Sequence, residues 1–331
     1  MSLRPTLRLI APVFRLTRPY SQTTDGPLIN VVNLPAPNSG HIRVLELNRP
    51  AARNAISKAL LAALRDEVQA VHAQYTAKGD EKLEPAGFRH SVRSDVRWPT
   101  RALVLASAVD KSFCAGADLK ERRTFTQDET AQFLADLRDT FASLAALPIP
   151  TISAIASMAL GGGLELALCT NFRVLASTAV VGLPETRLGI IPGAGGTYRL
   201  PALIGQQRAR DLILTGRRVS APEAYFLGIA DRLVEVLPEE EEQGADAQAS
   251  ESQNDEELLV RARRAALSES VRLASEICEG GPIAIRAGLQ AVHRPEKETE
   301  DAMYQRVVNT EDRDEALKAF SERRKPVFKG R

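Results

Sequence analysis

The chain has 331 residues, 44% hydrophobic and 26% charged, with a formal net charge of +1. That balance describes a globular fold without a global field to gather nucleic acid or an anionic membrane, and no unbroken apolar run reaches membrane-spanning length. The cysteines (Cys114, Cys169, Cys278) are too far apart for a disulfide framework, and His41, His72, His90 and His293 are too scattered for metal-ligand spacing, so no metal site is expected.

The first 24 residues carry Arg4, Arg8, Arg15 and Arg18 and no acid before Asp25. On a helical wheel the arginines gather on one face and Leu3, Leu7, Ile10 and Phe14 on another, the pattern of a mitochondrial transit peptide. His41–Leu47 alternates apolar and polar side chains and predicts a half-buried strand. Ser57 can cap a helix running to about residue 77. Residues 79–101, with Gly79, Pro85, Gly87 and Pro99 among several charges, predict a long surface loop. A short apolar strand is expected over 101–107, an amphipathic helix over 127–147, a strand over 151–156, a helix opened by Gly162, and strands over 172–176 and 180–183. This alternation predicts an α/β domain with largely parallel pairing. From about residue 205 the spacing is helical, near 205–215, 221–227, 256–279, 283–293, 297–308 and 311–323. A core over 28–265 followed by a C-terminal helical subdomain over 266–331 is the expected organisation. Residues 238–257 hold nine acids and no Lys or Arg, which predicts a solvated, disordered insertion.

Glu165 lies in Leu160-Gly161-Gly162-Gly163-Leu164-Glu165-Leu166-Ala167, and Glu185 in Gly182-Leu183-Pro184-Glu185-Thr186-Arg187-Leu188-Gly189. An acid just inside a glycine-opened apolar helix is poor core filler. Two carboxylates facing one pocket can share a water and serve as its base and acid. Small residues at Ala115-Gly116-Ala117-Asp118 let a ligand approach backbone N–H groups. The Gly161–Gly163 run offers further amides where a helix begins. Two such amides converging on one oxygen make an oxyanion hole. Asp118 reads as a turn or cap residue, and Cys114 as a small hydrophobe rather than a nucleophile. Pro192-Gly193-Ala194-Gly195-Gly196 lacks the Lys-Ser/Thr of a nucleotide-binding loop and reads as a flexible pocket wall.

Asn48-Arg49-Pro50 with Asn54-Ala55, the 113–122 stretch Phe-Cys-Ala-Gly-Ala-Asp-Leu-Lys-Glu-Arg, the 160–168 stretch Leu-Gly-Gly-Gly-Leu-Glu-Leu-Ala-Leu, and Pro184-Glu185-Thr186-Arg187-Leu188-Gly189 through Gly196 come in one order. Together they resemble the enoyl-CoA hydratase (crotonase) superfamily over roughly residues 28–331. Within it the chain looks most like the methylglutaconyl-CoA hydratase/AU-binding branch, from which its long 79–99 and acidic 238–257 segments depart. The resemblance implies a spiral of ββα turns with C-terminal helices, assembled as homotrimers or dimers of trimers in the mitochondrial matrix. It implies a coenzyme A thioester as substrate and no cofactor. By motif position, the N–H groups of Ala117 and Gly162 polarise the thioester carbonyl, and Glu165 and Glu185 are the catalytic carboxylates. Ala115, Gly116, Asp118, Leu119, Gly161, Pro192 and Gly193 line the ligand groove, with Lys120 beside the nucleotide portion. Glutamate at both positions favours a hydratase over an isomerase. The branch implies conversion of 3-methylglutaconyl-CoA to 3-hydroxy-3-methylglutaryl-CoA in leucine catabolism; general short-chain hydration in fatty-acid β-oxidation is the alternative. A distal substrate carboxylate would want a cation, for which Arg122, Arg123 and Arg199 are candidates. The branch's RNA-binding side activity is not expected to be strong here. The helix from residue 57 offers Lys58, Arg65 and Lys78 against Asp66 and Glu67, and the more basic loop offers Arg89, Arg93, Arg97 and Arg101.

Overall fold

The computed structural model describes residues 26–82, 99–237 and 247–331; the expected transit segment and the loop arginines Arg89, Arg93 and Arg97 lie outside them. β1 (Ile29–Pro35) and β2 (His41–Leu47) pair antiparallel. β3 (Thr100–Ser107), β5 (Thr151–Ile155), β7 (Phe172–Ala176) and β10 (Arg232–Val234) then extend the sheet in parallel, in the order β1-β2-β3-β5-β7-β10. A second sheet takes the short strands β4 (Ser112–Cys114), β6 (Met158–Leu160) and β8 (Val180–Gly182) in parallel, closed by antiparallel β9 (Arg218–Ser220). Three times in succession the chain passes through the large sheet, then the small one, then a helical segment: β3/β4, β5/β6 and β7/β8. The carboxyl ends of β4, β6 and β8 therefore lie side by side, the edge where ligands bind in parallel sheets.

The large sheet is covered on both faces. Leu103 and Leu105 point into the main core, while Ala102, Val104 and Ala106 point into a second core against α8 (Ala247–Cys278), which supplies Ala262, Ala266, Leu273, Ala274 and Cys278. β2 is consequently not half-buried. Arg43, on the face of Leu45 and Leu47, is wholly buried, ion-paired with Glu67 of α1 (Lys58–His72) and bonded to Asn33 Oδ1 at 3.1 Å. The alternation that looked like a wet face is a paired charge inside the protein.

Ser57 caps α1, accepting from the amide of Leu60 at 3.2 Å. The helix stops at His72, short of residue 77, because the next residues serve β3: Gln74 Oε1 accepts from Thr100 N at 2.7 Å, and the Tyr75 hydroxyl donates to Thr100 O. The ends of the long loop are tied down, with Glu81 ion-paired to both Arg101 and Arg286. α8 also corrects two expectations. Residues 247–257 of the acidic segment are helical, with Glu256 bonded to Lys111 at 2.6 Å, because residues 254–257 keep their side chains exposed; residues 238–246 lie outside the described set. The boundary expected at 265/266 falls within this one helix. α9 (Pro282–His293), α10 (Lys297–Val308) and α11 (Glu311–Ser321) follow, and the amides of Lys329 and Gly330 return to the Asp312 carboxylate at 2.6 and 2.8 Å.

α4 (Gly162–Ala167) sits hard against β4. An ideal Cβ on Gly163 would lie 2.1 Å from Cys114 O and 2.8 Å from its carbonyl carbon, both backbone atoms that cannot rotate away. Gly163→Ala is expected to destabilise the fold by at least about 1–3 kcal/mol, read as a lower urea midpoint at unchanged slope. At Gly162 the nearest atom to such a Cβ is 3.5 Å away, and Gly162→Ala should unfold close to the wild-type midpoint.

Candidate active site

The carboxyl end of β4 turns through Gly116 at φ +92, and a Cβ there would stand 2.8 Å from Leu160 O. Glycine is required both for the positive φ and for this approach to the end of β6. Ile56 bridges Ala117 in parallel: Ile56 N donates to Gly116 O at 2.8 Å and Asp118 N to Ile56 O at 3.0 Å. The bridge leaves the Ala117 N–H without an acceptor among the described residues. Gly162 is the first residue of α4, so its amide has no intrahelical acceptor, and the preceding Gly161 has no side chain to cap it. The ideal Cβ of Gly162 stands 3.5 Å from Ala117 N. Two amides from two strand ends thus meet at one place.

The Asn48-Arg49-Pro50…Asn54 stretch clasps this corner. Asn54, at φ 55, accepts from Arg49 N at 2.7 Å and donates to Ser107 Oγ at 2.9 Å and Phe113 O at 3.0 Å. Arg49 donates to Asp118 Oδ2 at 2.6 Å and Ala55 O at 2.8 Å. Asp118 caps α2 (Leu119–Arg122), accepting from the amides of Lys120 and Glu121 at 3.0 and 3.2 Å. Burial alone would raise the Asp118 carboxyl, but the Arg49 guanidinium and these amides outweigh it and hold it below its ordinary value. Asp118 is therefore the cap the sequence suggested, with its charge spent on the scaffold.

Glu165 is 3% exposed in α4, and its Oε1 accepts from the amides of Ala194 and Gly196, each at 2.8 Å. The 192–196 segment is thus more than the flexible wall expected from its glycines, since it grips a carboxylate. Arg199 Nη1 holds Ala194 O at 2.9 Å, and Arg138 Nε holds Gly193 O at 2.7 Å. Burial raises the Glu165 carboxyl above its ordinary value against the pull of the Gly196 and Ala194 amides and of Arg199 and Arg138. Glu185, 8% exposed, opens the 3-10 turn Glu185–Leu188 directly after β8. The position of a Cβ on Gly161 is 3.2 Å from its Oε1, which puts this carboxyl beside the Gly162 amide. Its Oε2 is buried without a hydrogen-bond partner among the described residues. Burial, outweighing its own backbone amide and joined by the charge of Glu165, pushes it up to about 7. The two acids are unlike: one is anchored by N–H donors that favour its anion, the other is bare and favours its neutral form.

Of the remaining expected groove residues, Ala115, Leu119 and Lys120 are exposed, Gly161 and Pro192 are buried, and Gly193 is half-buried. Arg199 lies near Glu165 but is engaged by Ala194 O and by the Tyr198 ring, 4.8 Å from its centroid. Cys114 is fully buried, its thiol donates to Asn54 O at 3.1 Å, and burial pushes it up to about 12, against a lesser pull from the Gly116 amide; it is a packed thiol rather than a nucleophile. Asn54 and Arg138 carry no local signal of these contacts, and Ala194 and Gly196 were expected only as part of a flexible wall. The Gly195-Gly196 pair signalled a special turn, but nothing local pointed its amides at a residue some thirty positions earlier. No helix among the described residues is long and apolar enough to cross a membrane.

Two sheets wound in ββα passes, with amides and paired acids at adjacent strand ends, match one class of protein. The chain belongs to the enoyl-CoA hydratase/isomerase family, whose model matches residues 92–331. It is similar to methylglutaconyl-CoA hydratase 1, mitochondrial, of Pyricularia oryzae, 64% identical over 340 positions covering 100% of this chain and 96% of that protein. It is 37% identical to human enoyl-CoA hydratase domain-containing protein 2, mitochondrial, over 92% of this chain and 91% of that one. The crystal structure of an enoyl-CoA hydratase from Bacillus anthracis superposes with a TM-score of 0.72 at 35% identity, covering 92% of this chain and all of that one.

Proposed function

We propose that this protein adds water across the 2,3 double bond of an enoyl-CoA thioester, with 3-methylglutaconyl-CoA as substrate and 3-hydroxy-3-methylglutaryl-CoA as product. The observation that carries the reading is the unlike pair of buried carboxylates, Glu165 held by two amides and Glu185 bare at about 7, next to the unspent amides of Ala117 and Gly162. The thioester carbonyl accepts from those two amides, which makes its β-carbon electrophilic and stabilises the enolate that follows. A water between the acids gives its proton to ionised Glu165 while its oxygen bonds to the β-carbon. The electrons of the double bond move to the carbonyl oxygen, and the enolate then takes a proton at the α-carbon from neutral Glu185. The reaction ends with the two acids having exchanged protonation states, which a return of the proton through solvent resets. Burial raises both carboxyls; the two amides on Glu165 favour its anion and suit it as base, while Glu185, pushed up to about 7, suits the acid. The thioester is itself the substrate, and no cofactor takes part.

Exposed Ala115, Leu119 and Lys120 border the groove for the coenzyme A moiety, with Lys120 placed for a phosphate. The choice of acyl group rests on the 64% identical relative; a general short-chain enoyl-CoA hydratase is the alternative. Relatives named as mitochondrial and the arginine-rich first 24 residues support a mitochondrial matrix location. A homotrimer or dimer of trimers would cover apolar side chains such as Phe226 and Phe320, 79% and 85% exposed in the single chain. The test is steady-state hydration of 3-methylglutaconyl-CoA and crotonyl-CoA under one set of conditions. A kcat/KM ratio of about tenfold or more in favour of the former is expected, the low end of what even a single apolar contact in an acyl pocket discriminates. Preference for crotonyl-CoA would assign the alternative, and failure to hydrate either would end the hydratase reading.

A further inference from the structure

The peptide unit joining Gly193 to Ala194 is used on both sides. Its N–H donates to Glu165 Oε1 at 2.8 Å and its C=O accepts from Arg138 Nε at 2.7 Å. In a trans peptide these groups point in opposite directions, so the guanidinium and the carboxylate stand on opposite sides of the segment, joined through one dipole. Arg138 belongs to α3 (Gln127–Ala145), one turn beyond Leu134, whose Cδ2 is 3.6 Å from the position of a Cβ on Gly193. The helix therefore packs directly against the segment that carries the amide. Arg138 is exposed, and Gly193 O is its hydrogen-bond partner among the described residues, where it forms no ion pair. On the same helix Asp136 pairs with Arg65, so an arginine there has acids to choose from.

We propose that Arg138 is a positioning residue for hydration: it fixes and polarises the Gly193–Ala194 peptide so that the Ala194 amide holds Glu165 oriented and ionised for taking the proton from water. The proposal rests on the reading of Glu165 as the base. A cation on the carbonyl side of a peptide strengthens the hydrogen bond its N–H donates because the dipoles align, and here the donated bond is buried while the Arg138 contact faces solvent. The charged and titratable groups that bear on Glu165 are Arg199 from α5 (Gly196–Ile204), Arg138 from α3, Glu185 from the turn after β8, and Cys169 beside it. Arg199 is built into the turn itself, since its backbone amide also takes Gly195 O at 2.8 Å. Arg138 reaches the segment by a side chain alone, so removing it leaves the turn's own bonds in place.

The test measures kcat and KM against pH, on one enoyl-CoA substrate, for the wild type, Arg138→Met, Arg138→Lys and Glu165→Gln. Losing a nearby cation raises the pKa of Glu165, so the base is protonated over more of the acidic range. Arg138→Met should move the acidic limb of kcat/KM to higher pH and lower kcat there by about three- to tenfold, with KM changed less than about twofold. Arg138→Lys keeps the charge and should restore most of the limb. A purely structural role would lower kcat by the same factor at every pH with the limb unmoved. That result, or a profile superimposable on the wild type, overturns the proposal. Glu165→Gln reports separately: near-normal turnover there would remove Glu165 as the base, and the Arg138 proposal with it, whatever Arg138→Met does.

Discussion

Glu185→Gln and Glu165→Gln should each cut kcat by about 10²–10⁴-fold, the range of general acid–base help, while binding of a saturated acyl-CoA stays within a few-fold. Glutamine keeps the shape and one acceptor but can neither take the water proton nor deliver one to carbon. The two variants should differ elsewhere. Glu185 has an ordinary value of 4.5 and is pushed up to about 7 by burial, against its own amide and with the charge of Glu165 adding to the rise. Below 4.5 the folded and unfolded chains both carry the proton. As pH rises towards 7 the unfolded chain releases it first, so the folded state loses stability across that interval and stays weaker above it. Glu185→Gln has no such proton to lose, and at pH 8 it should melt higher than the wild type by an amount on the order of 1–3 kcal/mol, with no gain near pH 4. In the hydration direction, wild-type activity that needs neutral Glu185 should fall as pH rises through about 7. Thermal melts and a pH–rate profile check both signs. Near-normal turnover in either glutamine variant would refute the role assigned to that residue.

The sequence made the long elements and the acids legible, and lost what depends on contact between distant segments. α1, α3 and the helices from α6 (Gln206–Thr215) onward declare themselves by apolar spacing, and Ser57 marks its cap. The small sheet is built from strands three residues long; β8 was expected over 180–183, but β4 and β6 are too short for a period to register, yet these strand ends carry the whole candidate site. Arg43 shows the converse error: a polar residue in an alternating strand looked solvated because its partner, Glu67, is on another element. In the acidic stretch, charge density hid a helix whose residues 254–257 face water. The glycines at 116 and 161–163 were visible as places where backbone comes close. What they approach, Leu160 O and Cys114 O, follows from strand order in the second sheet and from no local pattern.

Gly162→Pro is expected to lower kcat by at least about 10²–10³-fold, the loss seen when one oxyanion donor is removed, while Gly162→Ala keeps most of the activity. The pair separates the amide from the space around it. Alanine retains the N–H, and its Cβ meets nothing nearer than 3.5 Å. Proline deletes the N–H at the first position of α4, where the fold tolerates it: that amide has no helical acceptor, and proline's φ suits a helix start. Gly161, at φ 55 and without a Cβ, leaves room for the ring on the preceding residue. The bond being removed strengthens as charge moves onto the carbonyl oxygen, so the loss belongs in kcat more than in KM. Ala117 would still donate, and the residual rate would measure what one amide achieves alone. Circular dichroism and an unchanged urea midpoint would establish that Gly162→Pro is folded. If that folded variant turned over at the wild-type rate, the carbonyl would have to be activated elsewhere. If Gly162→Ala lost as much as Gly162→Pro, the open space beside the Ala117 amide, 3.5 Å from that Cβ, rather than the Gly162 amide, would be what the reaction needs.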